Sequence, residues 1–194
     1  MSTKNQFGEY EILEVISVSG NAEIVKARRS GIGGFQRNLA IKRIPSSASA
    51  NRMLADQLVA DAKIAGLLSH ANIVQIIDLG ETEGIWFVAM EYVNGPDLQG
   101  ILHRCHEKTI TLPVPHAVFI CIELLKGLEY AHNRQIMRGG ALVPLNVVHG
   151  SLCPENILIS VQGEVKLTEF TSGNHHPPTN YRAPEQRNNS QPLD

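Results

Sequence analysis

The spacing of apolar residues changes near the middle of the chain, and this change restricts the fold more than any other feature. Before residue 94, short runs rich in Val and Ile are separated by Gly and Asn turn signals, which is typical of antiparallel strands. One interval, residues 53–68, instead carries apolar residues at helical spacing. The first half therefore predicts a small antiparallel sheet with a single helix, with strands at 10–17, 22–28, 38–44, 73–79 and 85–92.

The second half of the chain has mainly helical spacing. It predicts a short helix at 97–106, a long helix at 115–133, and two short strands at 156–160 and 164–168. The long helix is apolar on more than one face, which is typical of a buried helix. Residues 134–144 are predicted as a loop, and the tail from residue 171 as polar and irregular. Strands followed by helices indicate an α+β fold.

Composition excludes several classes of protein. The 17 Lys and Arg residues are balanced by 19 Asp and Glu residues, so the surface has no basic excess for nucleic acid. Three scattered cysteines predict neither a zinc site nor a disulfide framework. The first residues are polar, and no apolar run is long enough to span a bilayer. We therefore expect a cytoplasmic protein with neither nucleic acid nor membrane as a partner.

Five short motifs occur in a fixed order at the joints of the predicted elements. They are Leu-Ala-Ile-Lys at 39–42, Met-Glu-Tyr-Val at 90–93, His-Gly-Ser-Leu-Cys-Pro-Glu-Asn at 149–156, Glu-Phe-Thr at 169–171 and Ala-Pro-Glu at 183–185. Together they resemble the V-A-I-K, hinge, H-R-D, D-F-G and A-P-E motifs of protein kinases. The chain thus resembles the protein kinase family over about residues 7–187. Its residues around these motifs resemble those of bacterial Ser/Thr kinases.

The resemblance implies a kinase-like α+β fold in two parts. Residues 1–93 are expected to form the antiparallel N-lobe with one helix, and residues 94–194 a partial, mainly helical C-lobe that ends just after the Ala-Pro-Glu motif. A complete kinase domain continues through further helices that cover the helix at 115–133. We therefore expect that helix to leave apolar surface uncovered and to bind a protein partner or a second copy of the chain.

Ser151 occupies the position at which the resemblance implies the catalytic base. The kinase aspartate at this position accepts the proton of the substrate hydroxyl, and serine cannot do so near neutral pH. Losing a positioned base costs about 10² to 10⁴ in rate. Gly150 stands at the position of the preceding kinase arginine, which would bind an activation-loop phosphate. Lys42 retains the strand lysine, and its implied helix partner is Asp61, about 1.5 Å shorter than the usual glutamate.

The resemblance also implies positions for nucleotide and metal. Three non-glycine residues stand at the glycine positions of the phosphate loop, where only Gly20 remains, off register. These three residues are Ser17, Ser19 and Ala22. The other implied nucleotide positions are Ile24, Ala40, Lys42, Met90, Glu91 and Leu158.

Asn156 and Glu169 are the implied magnesium ligands, although Asn156 is equally well interpreted as a turn residue that caps the strand after Pro154. The glutamate at 169 is one methylene longer than the kinase aspartate, and Mg²⁺ requires near-octahedral geometry at about 2.0–2.1 Å. ATP and magnesium are the cofactors that the resemblance implies, and the altered positions argue against both.

Two further residues of the Ser151 region are interpreted as structural and not as catalytic. Cys153 is either a nucleophile or an inert thiol, and the lack of an oriented base favours the inert thiol. His149 is a buried packing residue that the resemblance places on Phe170.

These features predict a pseudokinase that acts as a binding or regulatory module in signalling, without phosphotransfer. The alternative is a divergent Ser/Thr protein kinase of low activity that uses Lys42, Asn156 and Glu169 for ATP and magnesium. Such an enzyme would work without the usual base, since positioning and charge stabilisation carry much of phosphoryl transfer. Ser151 is the residue that separates the two hypotheses.

Overall fold

The computed structural model describes residues 5–19, 22–44, 52–170 and 178–184. Their secondary structure confirms the predicted α+β class, with strands concentrated before residue 92 and two of the three helices after it. The helices are α1 (Arg52–Ala65), α2 (Leu98–Glu107) and α3 (Val114–His132). The strands are β1 (Gln6–Phe7), β2 (Tyr10–Ser19), β3 (Ala22–Ser30), β4 (Gln36–Arg43), β5 (Ile76–Thr82), β6 (Ile85–Glu91), β7 (Gln135–Arg138), β8 (Ala141–Pro144), β9 (Ile157–Ile159) and β10 (Val165–Leu167).

The described residues form two compact units. The first unit lies within Met1–Gly66 and Gln75–Tyr92, and the second within Leu67–Val74 and Val93–Asp194. None of the helices in the described part of the chain combines the length and apolar content that a bilayer crossing needs.

The first unit is built on a six-stranded sheet in the order β1-β2-β3-β4-β6-β5. All its neighbouring strands run antiparallel, and the two predicted hairpins, β2–β3 and β5–β6, are confirmed. Side chains alternate between the two faces of a strand, so this register decides which residues share a face. One face carries the core, which consists of Phe7, Tyr10, Val25, Ala27, Leu39, Ile41, Phe87 and Ala89.

Aromatic and polar contacts hold this core together. Phe87 contacts Phe7 and Tyr10 edge to face, with ring centroids 5.3 and 5.6 Å apart. The Tyr10 hydroxyl donates to Asp78 Oδ2 at 2.8 Å, which satisfies a polar group on a side chain that is only 1% exposed. The core of the first unit thus lies on the face of the sheet opposite Lys42.

The second unit contains α2, α3 and the short β9–β10 ribbon. Gly127 lets α3 approach the neighbouring segments closely, since a Cβ at this position would lie 3.2 Å from both Asn72 O and Leu167 Cδ1. Gly95 has the same role beside β9, where a Cβ would collide with the Ile159 carbonyl oxygen at 2.0 Å. The backbone of this unit therefore packs closely at two positions, Gly95 and Gly127, where an added side chain would crowd neighbouring atoms.

Three sequence-based predictions differ from the structure. The predicted loop at 134–144 contains a hairpin, β7–β8, whose two-residue turn is formed by Gly139 and Gly140, both at positive φ. This is the turn that favours glycine in tight hairpins, and the Gly-Gly pair was the signal available in the sequence. The helix predicted at 53–68 ends at Ala65, followed by Gly66. A short extra strand, β1, pairs with β2.

The long helix α3 is buried on one face only. Ile120, Gly127 and Ala131 are its buried residues. On the other side, Val118 and Leu125 are 51% and 63% exposed. In the described residues, α3 therefore keeps an uncovered apolar face, which agrees with the expectation from the sequence.

Candidate functional site

The sheet register of the first unit brings five of the ten predicted nucleotide positions to one face, here called the Lys42 face. Ile24 lies opposite Lys42, and Ala40 lies opposite Met90. Ser17 lies opposite Ile24 and joins the same face. Since directly opposite residues project to the same side of a sheet, these five side chains share one surface although they come from four strands.

Two other predicted positions of the first unit lie elsewhere. Glu91 pairs with Leu39, so its side chain projects on the core side of the sheet. Asp61 lies on α1 and accepts a hydrogen bond from Gln57 Nε2 at 2.8 Å. The pairing of Asp61 with Lys42 stays a prediction.

The predicted phosphate loop is the turn between β2 and β3. Ser19 pairs with Ala22 across this turn in the strand register. Gly20 lies outside the described residues, as do Thr171 and Glu185 of the later motifs. The contribution of this turn to phosphate binding stays a prediction.

Sequence reasoning missed a second lysine on the Lys42 face. Lys26 lies opposite Ala40 in the register. Its ammonium donates to Glu14 Oε1 at 3.1 Å and lies 4.7 Å from the centre of the Tyr92 ring. The hydrogen bond to Glu14 is the main cause that raises the pKa of Lys26 above its ordinary value. The alternation of Ile24 and Lys26 along β3 was the available signal.

The second unit carries the segment 149–156, here called the Ser151 loop. Its conformation depends on the imidazole of His149, which is 2% exposed. His149 Nδ1 accepts the main-chain N–H of Ser151 at 3.2 Å, and Nε2 lies 2.9 Å from the Thr168 carbonyl oxygen. Because Nδ1 is an acceptor here, the proton belongs on Nε2, which donates to Thr168.

His149 also packs on Phe170, as the kinase resemblance implies. The two ring centroids are 4.5 Å apart. Burial lowers the pKa of His149 to about 4, against an ordinary value of 6.5. The imidazole is therefore neutral near pH 7, and both of its nitrogens are engaged in holding the loop.

Ser151 and Cys153 are the buried hydroxyl and thiol of this loop. Ser151 is 7% exposed and Cys153 is 4% exposed. Burial raises the pKa of the Cys153 thiol, which keeps it protonated near neutral pH. The geometry therefore favours the inert-thiol interpretation of Cys153.

Asn156 holds the Ser151 loop closed. Its side-chain nitrogen donates to the Ser151 carbonyl oxygen at 2.8 Å and lies 3.4 Å from Ser151 Oγ. The Thr168 N–H in turn donates to the Asn156 carbonyl oxygen at 3.1 Å, so the two predicted metal ligands, Asn156 and Glu169, come from adjacent segments. A side-chain amide binds Mg²⁺ through its oxygen, so this oxygen is the Asn156 atom that would coordinate a metal.

Glu169 has an unusual backbone conformation. Its φ angle is +62°, in the left-handed region, where a non-glycine residue costs on the order of 1–2 kcal/mol. Residues held in this region concentrate at functional sites. The last predicted nucleotide position, Leu158, lies on β9, opposite Lys166 and bridged to Asp97.

Sequence reasoning also missed Asn72, which joins the segments around the Ser151 loop. The Asn72 side-chain nitrogen donates to the Val165 carbonyl oxygen at 2.9 Å and to Glu123 Oε2 at 2.8 Å. The Lys126 ammonium and then Asn72 lower the pKa of Glu123. A single amide beside the apolar run that begins at Ile73 was the signal in the sequence. Buried polar side chains of this kind are retained where they satisfy several partners.

Comparison with known proteins agrees with this arrangement. Residues 13–189 match the protein kinase domain family, so the chain belongs to the protein kinase family. The tyrosine-protein kinase MasK of Myxococcus xanthus is 35% identical over 164 residues, which are 84% of this chain and 25% of that protein. The serine/threonine-protein kinase PrkC of Bacillus subtilis is 31% identical over 166 residues, which are 84% of this chain and 22% of that protein.

Solved structures confirm the fold. The crystal structure of the PknI kinase domain of Mycobacterium tuberculosis aligns with a TM-score of 0.71, covering 98% of this chain and 68% of that chain at 23% identity. At this identity the likeness shows the fold alone, which is the predicted kinase-like α+β fold. The chain spans about a quarter of the length of the curated relatives named above.

Proposed function

We propose that this chain is a pseudokinase: a kinase-fold module that binds or regulates another signalling protein without phosphotransfer. The observation that carries the proposal is the Ser151 loop, which hydrogen bonds of His149 and Asn156 hold in place but which has no group of suitable basicity at the base position. An alcohol is far too weak a base at neutral pH to accept the proton of a substrate hydroxyl. Family membership supports the kinase fold and its usual use of ATP and magnesium.

Neither neighbouring side chain replaces the missing base. His149 uses Nδ1 to accept from Ser151 and Nε2 to donate to Thr168, so no free lone pair remains. Cys153 stays a protonated thiol because burial raises its pKa. A positioned base is worth about 10² to 10⁴ in rate, which is the loss we assign to this position alone.

The metal positions support weak binding of Mg-ATP. Asn156 commits its side-chain nitrogen to the Ser151 carbonyl, which leaves one oxygen for a metal. Glu169 offers a carboxylate on a longer side chain than the kinase aspartate, at a strained φ of +62°. Mg²⁺ tolerates little departure from octahedral geometry at about 2.0–2.1 Å. We therefore infer that magnesium adds little to any nucleotide affinity of this chain.

The open face of α3 is the surface that we assign to the partner. The apolar side chains Ile122, Leu125 and Leu128 lie on this face, with Lys126, Glu129 and His132 among its polar residues. Apolar faces of this kind commonly mark interaction surfaces. A protein partner that presents an apolar helix or strand can pack on this face, and self-association is the other outcome to test. Light scattering after gel filtration separates the two, with a monomer expected in the absence of partner.

The alternative function, a divergent Ser/Thr kinase of low activity, is favoured by two observations. Lys42, Ile24, Ala40 and Met90 remain on one sheet face, and residue 169 keeps a carboxylate. The discriminating experiment is thermal unfolding with ATP, with and without Mg²⁺, on the wild type and on Lys42→Met. A ligand that binds only the folded state raises the melting temperature.

The pseudokinase proposal predicts no magnesium-dependent rise in melting temperature. A rise of several degrees that is lost in Lys42→Met supports the kinase alternative. Ser151→Asp provides the second measurement: transfer of labelled phosphate to a generic Ser/Thr substrate is expected to stay at background, since the metal positions are altered as well. Measurable transfer by Ser151→Asp contradicts the assignment of those positions.

A further inference from the structure

The turn between β3 and β4 projects two apolar side chains into solvent. This turn is a short 3₁₀ segment, Ile32–Gly34, followed by Phe35. Ile32 is 101% exposed and Phe35 is 67% exposed. Gly33 and Gly34 have φ angles of +70° and +81°, which let the chain turn sharply at this tip. The tip therefore presents a small, convex apolar surface.

Three arginines lie directly behind this tip. Arg29 lies opposite Arg37 on adjacent strands, and Arg28 lies opposite Asn38 on the other face of the sheet. Like charges directly opposite each other destabilise a strand pair. Arg29 pairs with Glu9 at 3.1 Å and Arg28 pairs with Glu11 at 3.8 Å, both across partly exposed contacts. In the described part of the chain, Arg37 makes no ion pair.

Folding alone does not account for this combination. An isoleucine and a phenylalanine in water gain no burial, and the repulsion between Arg29 and Arg37 is offset only in part by Glu9, which pairs with Arg29 and not with Arg37. Both costs are recovered where the tip enters an apolar layer that is bordered by negative charge. The interface of an anionic bilayer has this arrangement, with acyl chains beneath a layer of phosphate groups.

We propose that the β3–β4 tip docks this domain on an anionic membrane surface, with Ile32 and Phe35 inserted among the lipids and Arg37 and its neighbours on the phosphates. A protein partner fits the tip less well. The two side chains expose roughly 300 Å², whereas a stable protein interface buries about 800 Å² on each partner. A convex tip enters a deformable bilayer without needing a complementary surface.

This proposal departs from the expectation that the chain has no membrane partner. That expectation depended on the lack of a segment long enough to span a bilayer, and docking through a surface turn needs none. The proposed contact uses residues of the first unit alone. It is therefore independent of the Ser151 loop and of the α3 face.

The test is co-sedimentation of the purified protein with large unilamellar vesicles. Phosphatidylcholine vesicles are compared with vesicles that contain one quarter phosphatidylglycerol, at low and at physiological salt. We expect binding to the anionic vesicles that weakens as salt rises, because exposed charges are screened. Arg37→Gln should weaken binding about five-fold, the effect of one basic residue near an anionic surface.

The double variant Ile32→Ser, Phe35→Ser should weaken binding at least about tenfold, through the loss of apolar insertion. Its matched control is Val161→Ser, an apolar residue that is 68% exposed at the β9–β10 turn. Arg138→Gln, at the end of β7, is the control for charge. Equal melting temperatures for all variants show that the changed side chains act at the surface and not through folding.

Three results would overturn the proposal. The first is equal sedimentation with anionic and neutral vesicles. The second is binding that the tip variants leave unchanged. The third is a concentration-dependent oligomer that the double variant converts to a monomer, which assigns the tip to a second copy of the chain instead.

Discussion

The Lys42 face and the Ser151 loop hold their side chains in different ways. On the Lys42 face, strand register alone places Ile24, Lys42 and Met90 together, and the core lies on the opposite side of the sheet. In the Ser151 loop, hydrogen bonds of the His149 and Asn156 side chains hold the backbone. The same two side chains lie beside Ser151, the residue at the position of the catalytic base. The side chain at residue 151 can therefore differ from the kinase aspartate while the backbone of the loop stays in place. The packed residues that hold the backbone of the second unit, here called its frame, tolerate little substitution.

This difference gives three predictions, of which the first concerns the frame of the second unit. Gly95→Ala places a Cβ 2.0 Å from the Ile159 carbonyl oxygen, which is backbone and cannot rotate away. We expect a loss of about 3 kcal/mol, the upper range for overpacking. Chemical denaturation followed by circular dichroism measures it.

The control for this prediction is Gly31→Ala. Its added Cβ meets Phe35 at an ordinary distance of 3.5 Å, so little change is expected. Fluorescence of Trp86, the single tryptophan, reports separately on the first unit. Equal destabilisation by the two alanine variants would remove the distinction between a packed frame and an open turn.

The second prediction concerns pH and the His149 imidazole. The folded-state pKa is about 4 and the ordinary value is 6.5, so between these values the unfolded chain binds a proton that the folded chain does not. Stability is therefore complete above pH 6.5 and falls as pH decreases toward 4, by about 3 kcal/mol. Denaturation midpoints at several pH values measure the slope.

His149→Gln removes this titration. The variant is expected to be less stable at pH 7, because Ser151 and Thr168 lose their partner, and to have a shallower fall of stability below pH 6.5. His116→Gln, an exposed residue of α3, is the control and should keep the wild-type slope. An unchanged slope in His149→Gln contradicts the assignment.

The smallest expected effect concerns the core of the first unit. Tyr10→Phe removes the hydrogen bond to Asp78, for a loss of about 1 kcal/mol. Asp78 still accepts from the Leu79 N–H at 2.9 Å, which limits the cost. Tyr181→Phe, at a residue 47% exposed, is the control.

The Tyr10 variant tests whether the core and the Lys42 face are separable. We expect any nucleotide-dependent shift in melting temperature to be the same in Tyr10→Phe and in the wild type. A changed shift would show that the two sides of the sheet are coupled, and the contrast with the Ser151 loop would then weaken.

Sequence patterns predicted the order of elements well, because strand and helix periodicity are local properties of the chain. They failed for the β7–β8 hairpin, where strands of only four residues on each side of Gly139 and Gly140 are too short for a periodic signal. They also failed for Asn72, because the two oxygens that accept hydrogen bonds from its side chain belong to residues 51 and 93 positions away in the sequence.

By itself, the sequence determined the kinase family, the α+β fold and the presence of serine at residue 151. Those features depend on residue identity and local spacing. Only the tertiary structure decided which side of α3 is open, that both nitrogens of His149 are engaged, and that Arg29 faces Arg37 behind an exposed apolar tip. Each of these depends on contacts between residues distant in the chain, and periodicity along one segment carries no information about its neighbours in space.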